Sequence, residues 1–77
     1  MTQEEIFKQI TAERKYQDHK WGDSDSYNTP YHWGAYIGAY TNRSLIGNPG
    51  DTEARTEAFK ADMVKVAALA VAALEKL

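Results

Sequence analysis

Two clusters of this chain hold the side chains able to do chemistry. The first is ERKYQDHKWG, Glu13 to Gly22, where cations, carboxylates and His19 alternate with a tyrosine and a tryptophan. The second is YHWGAYIGAYTNR, Tyr31 to Arg43, which carries His32, Trp33, Tyr36, Tyr40 and Arg43 and contains no Asp or Glu. An aromatic ring offers a nucleobase a stacking surface worth about 1–3 kcal/mol, and arginine meets phosphate through a planar fork that lysine lacks. Arg14, Lys15, Lys20, Trp21, His32, Tyr36 and Arg43 are therefore the candidate ligand-binding residues. Each has a structural alternative: Trp21 and Trp33 can pack in a core, and Arg14 can pair with an acidic side chain. No catalytic residue, metal or cofactor is expected. The only histidines, His19 and His32, do not form a metal-binding motif, and P-loop, Rossmann and metalloprotease patterns are missing from the chain.

These clusters need elements to position them, and three helical segments can be read. The first, about 2–20, opens on a capping box in which Thr2 accepts from the amide of Glu5 and Glu5 reaches back. Ile6 and Ile10 repeat at helical spacing, and Glu13 and Gln17 continue that line, so a polar extension of an apolar stripe points inward or at a partner. Gly22 and the turn formers after it place the helix end near Lys20 or Trp21. Thr29 and Pro30 read as N-cap and first position of a second helix, about 30–46. Along it Trp33, Ile37, Tyr40 and Ser44 form a core line, with His32, Tyr36 and Arg43 on a neighbouring surface line. Gly34 and Gly38 share a face of this helix at about 1 kcal/mol each relative to alanine, a cost expected to be offset by close approach of a helix or ligand.

GNPGD ends that segment, and Asp51 or Thr52 can cap the third helix, about 52–76. Its acidic start, Glu53 and Glu57, suits the positive end of the helix dipole. Phe59, Met63, Val66, Ala70 and Ala73 trace the expected core stripe. Between Val64 and Leu74 only Lys65 is polar, so the helix is apolar nearly all round, and Lys65 either snorkels or reaches a pocket. Two shorter helices cannot cover every side of it, which predicts a homo-oligomer built on Val64–Leu74. The expected fold is thus all-α, a single domain over 1–77.

Bulk properties set further bounds. At 77 residues the chain is near the lower size limit for unaided folding, and with no cysteine it has neither disulfides nor thiolate chemistry. Nine basic against eleven acidic residues give a net charge of −2, without the basic excess that drives binding to long duplex nucleic acid. No apolar run reaches the roughly 20 residues needed to span a bilayer, and the first ten residues do not form a secretory signal. A cytoplasmic protein without membrane contact is expected.

ERKYQDHKWG, the turn-rich loop, His32 near the next helix start and the closing KADMVKVAALAVAALE resemble a class of small phage and prophage proteins. Those are similar in turn to the MazG-like all-α NTP pyrophosphohydrolase superfamily. The resemblance implies an all-α scaffold whose enzymes hold Mg²⁺ against a triphosphate with paired carboxylates on successive helices. Here the second helix carries no carboxylate, and helix three supplies only Glu57 and Asp62, with Glu13 as a further remnant. The expectation is therefore binding without hydrolysis: a nucleotide or short-oligonucleotide binder with pockets between protomers. If phage-encoded, it would act in the host cytoplasm as a sponge for a host immune nucleotide signal. Two alternatives stand beside it, a divergent Mg²⁺-dependent pyrophosphohydrolase using Glu13, Glu57 and Asp62, and a helical module that binds a host protein.

Overall fold

A computed structural model describes residues 1–25, 27–46 and 52–77, with the side chains of all of these except 24, 25, 44–46, 52 and 54. It is built from three helices, α1 (Gln3–Asp25), α2 (Pro30–Ile46) and α3 (Thr52–Lys76), with no strand among the described residues. The cap of α1 forms as its sequence dictates. Thr2 Oγ1 accepts from the Glu5 amide at 3.1 Å, and its hydroxyl donates to the Glu5 carboxylate at 3.2 Å. Thr29 stands before Pro30, and its carbonyl accepts the first helical bond of α2 from the Trp33 amide at 3.1 Å. The proposed cap of α3 at Asp51 or Thr52, the GNPGD turn and the Ser44 side chain lie outside the described residues.

α1 runs past the expected stop at Lys20 or Trp21 to Asp25. Gly22 keeps a negative φ, and tertiary contacts hold the turns before it. Asp18 lies 3.4 Å from the Arg14 guanidinium and 3.9 Å from Lys76, so the end of α1 is tied to the end of α3. Such contacts override weak local propensity.

α1 and α2 both lie on α3 and not on each other. The molecule measures 39 × 28 × 18 Å, its shortest axis the thickness of two helix layers. The core is small: Trp33, Leu69 and Ala72, with Ile37, Tyr40 and Ala73 packed around them. α2 thus buries the line anticipated for it. On α3 the buried positions are Asp62, Ala68, Leu69 and Ala72, whereas the expected stripe contributes only Ala73 to the core cluster. Phe59 of that stripe is 49% exposed. Between Val64 and Leu74 only Lys65 is polar, so over that stretch periodicity could not choose the face; the polar Asp62, buried against Arg43, is part of what does. Among the described residues, no helix is long and apolar enough to cross a membrane.

Candidate functional site

The inward line of α1 ends in polar groups. Arg14 and Gln17 are buried, and the Gln17 Nε2 donates to the Lys65 carbonyl of α3 at 3.4 Å. Arg14 donates to Glu75 at 2.8 Å and to Asp18 at 3.4 Å. Burial works to lower the Arg14 pKa, but the hydrogen bond and charge of Glu75, followed by Asp18, outweigh it and hold the guanidinium above its ordinary value. The Arg14 Nε and Nη1, the Gln17 Oε1 and the Trp33 Nε1 are buried with no hydrogen-bond partner among the described residues. Arg14 is therefore a strut between α1 and α3.

Because α1 and α2 both rest on α3 without meeting, a cleft of about 470 Å³ opens between them. Gln17 and Trp21 line its α1 wall, Tyr36, Tyr40 and Arg43 its α2 wall, and Leu69 forms part of its floor. Trp21 is 38% exposed and Tyr36 44%, so both rings present open surface. A single chain forms this cleft by itself. It brings together Trp21, Tyr36 and Arg43 from the two sequence clusters, and adds Gln17, Asn28 and Tyr40, which the sequence reading did not assign to the site. Gln17 and Tyr40 carried signals in the sequence, as an inward polar position and an edge-of-core tyrosine. Asn28 carried none.

Arg43 has a second task. Its Nε lies 3.3 Å from one carboxylate oxygen of Asp62 and its Nη2 donates to the other. Asp62 is buried while the Arg43 side chain is 58% exposed, and the guanidinium carbon sits 4.8 Å over the Tyr40 ring. The hydrogen bond that Arg43 donates to Asp62 raises the Arg43 pKa, desolvation opposes it, and the charge of Asp62 adds to the rise. One edge of the fork thus holds a buried carboxylate while the side chain remains reachable from the cleft.

The remaining candidates separate. Lys20 Nζ lies 4.8 Å from the Trp21 ring centroid and 3.4 Å from the Tyr16 hydroxyl, and Tyr16 meets Trp21 edge to face at 6.3 Å. This exposed group borders a shallow hollow where Asp18 and Asp23 offset Lys20 and Lys76, leaving no one-signed field for an anion. Lys15 is exposed, about 160° around α1 from the inward Gln17. His32 completes the α2 cap: its Nδ1 accepts from the Thr29 amide at 3.1 Å and lies 2.9 Å from the Thr29 hydroxyl. It occupies the place a glutamate takes in a capping box, and the bond from the amide puts the proton of the neutral ring on Nε2.

The remnant carboxylates do not converge. Asp62 is engaged by Arg43 and Glu57 by Lys60 at 3.3 Å, and among the described residues no group of three His, Cys, Asp or Glu is placed to hold a metal ion. These residues do not fit a carboxylate-bound Mg²⁺. The chain matches no family model, no curated protein and no solved structure.

Proposed function

We propose that the protein is a non-enzymatic binder of a nucleotide or short oligonucleotide, seated in the cleft between α1 and α2. The observation that carries this reading is the convergence of Trp21, Tyr36 and Arg43 from different helices on one cleft of about 470 Å³. That volume falls in the range of small-ligand sites, about 300–1,000 Å³. A base stacks on Trp21 or Tyr36, and a phosphate lies toward Arg43. A short ligand suits the near-neutral charge balance better than a long duplex does.

In its concrete form the protein is a phage-encoded sponge that removes a host immune nucleotide from the host cytoplasm. That form leans on the resemblance of ERKYQDHKWG and the last helix to phage and prophage proteins related to MazG-like enzymes. The same reading makes the chain a homo-oligomer through Val64–Leu74, where Val71 is 39% and Leu74 82% exposed.

The test is thermal unfolding against a panel of nucleotides, cyclic dinucleotides and short oligodeoxynucleotides. A ligand at 100 times its dissociation constant adds about 2.7 kcal/mol, raising Tm by roughly 10 °C or more for a domain of this size. No stabilisation by any member leaves the host-protein interaction module as the better reading. Turnover of an NTP with Mg²⁺ that Asp62→Ala abolishes overturns the binder in favour of the pyrophosphohydrolase.

A further inference from the structure

On the side opposite the cleft, the protein carries an uncharged face that the described elements leave open. Around α2, at about 100° per residue, Tyr36, Ala39 and Arg43 lie to one side of Trp33, and Gly34, Gly38 and Thr41 to the other. A Cβ built at Gly34 or Gly38 meets nothing within 4 Å. Among the described residues neither glycine has a close neighbour, so the helix or ligand that their spacing anticipates is not supplied by these elements. Among the described residues no packing offsets their disadvantage in a helix. Beside this edge, on the arc of α3 beyond Ala73, run Phe59, Met63, Ala70 and Leu74 at helical spacing. Phe59 is 49% exposed and Leu74 82%. Between Met63 and Leu74 this arc bears no charge.

The amount of open surface fits a second copy of the chain. The protein exposes 5646 Å² for a mass of 8.7 kDa. A compact monomer of that mass exposes about 4,700 Å², which leaves an excess of roughly 900 Å². A stable interface of standard size removes about 800 Å² from each partner. We infer that two copies pair across this face, the glycine edge of α2 in one copy receiving the Phe59–Leu74 stripe of the other, and the reverse. Glycine on the edge lets the helices approach more closely than side chains allow. A two-fold arrangement of this kind closes on itself, leaving the cleft open on the far side of each copy. The inference rests on the homo-oligomer reading above and locates its interface.

Sedimentation equilibrium of the full chain tests it with three variants. Gly34→Ala with Gly38→Ala adds two methyl groups that meet nothing in the isolated chain, and Leu74→Glu places a charge on the stripe. Wild type is expected to sediment as a dimer. Both variants are expected to raise its dissociation constant at least about tenfold, with circular dichroism showing helicity equal to or above wild type for the double alanine variant. Phe7→Glu, at another exposed hydrophobic position, leaves the dimer intact. A dimer that survives both Gly34→Ala/Gly38→Ala and Leu74→Glu overturns the location while self-association stands. A wild type that stays monomeric at every concentration overturns self-association itself.

Discussion

Arg14 offers the sharpest test of how the chain is held together, because its pairing and its burial pull in opposite directions. The Glu75→Ala variant leaves the buried guanidinium with Asp18 at 3.4 Å in place of Glu75 at 2.8 Å. A hydrogen bond between charged groups contributes about 1.5–3 kcal/mol, and because the Glu75 side chain is 51% exposed, solvent screening discounts this to about 1–2 kcal/mol. For a domain of this size that is a fall in Tm of roughly 5–15 °C. Arg14→Met breaks the same pair but also removes the Nε and Nη1 donors that are buried without partners, while retaining an aliphatic chain in the space of the stem. Each such unsatisfied donor costs about 1–3 kcal/mol, enough for the two together to offset the lost pair, so Arg14→Met is expected to be no less stable than wild type. Differential scanning calorimetry of the two variants and their combination gives the comparison. The raised Arg14 pKa does not confound it: its contribution to stability is complete below the unfolded value and fades only as pH rises through the folded one, far above working conditions. Arg14→Met costing as much as Glu75→Ala would refute the reasoning, as would an Arg14→Met protein of unchanged Tm that had lost ligand affinity.

Other perturbations separate the structural residues from the cleft. Trp33→Ala empties the centre of a core in which Trp33 is the one large ring that is buried, and should cost about 3–5 kcal/mol, read as loss of cooperative urea unfolding. Thr29→Ala removes the hydroxyl beside the His32 Nδ1 at the start of α2 and should cost about 1 kcal/mol. His32→Ala should also lower Tm, and both should leave nucleotide affinity unchanged; a His32→Ala protein of normal Tm with weakened binding would return His32 to the site. Arg43→Ala should lower both affinity in calorimetry and Tm in melting, because it takes the fork from buried Asp62. Arg43→Lys should recover charge without that fork, so restoration of Tm and affinity to wild type by lysine would contradict the two-sided role.

The part of the fold set by local chemistry was legible in the chain. The Thr2 and Thr29-Pro30 starts, the 3.6-residue repeat of Ile6, Ile10 and Gln17, and the Trp33, Ile37, Tyr40 line each depend on near neighbours and a single buried face. What was illegible depends on which helix meets which. Arg14 finds Glu75 and Arg43 finds Asp62 only after the helices dock, and charge spacing within either cluster says nothing of partners so far along the chain. The end of α1 was misplaced for the same reason, since the ties from Arg14 to Glu75 and from Asp18 to Lys76 hold the turns before Gly22. On α3 the apolar run gave a face to the wrong side of the helix because it offered too little polar contrast to set a phase. Of the cleft lining, the aromatic and arginine positions Trp21, Tyr36 and Arg43 stood out by residue type, while of the clustered cations Arg14 is a buried strut and Lys15 an exposed group, neither lining the cleft.

The claim that the cleft is a nucleotide site is tested most directly by calorimetric titration of the most stabilising nucleotide into wild type and Trp21→Ala. Loss of a base-stacking ring of about 1–3 kcal/mol predicts an affinity about five- to 150-fold weaker for the variant, with its fold intact. Equal affinity in the two proteins, or no heat of binding from any nucleotide in the wild type, would contradict it.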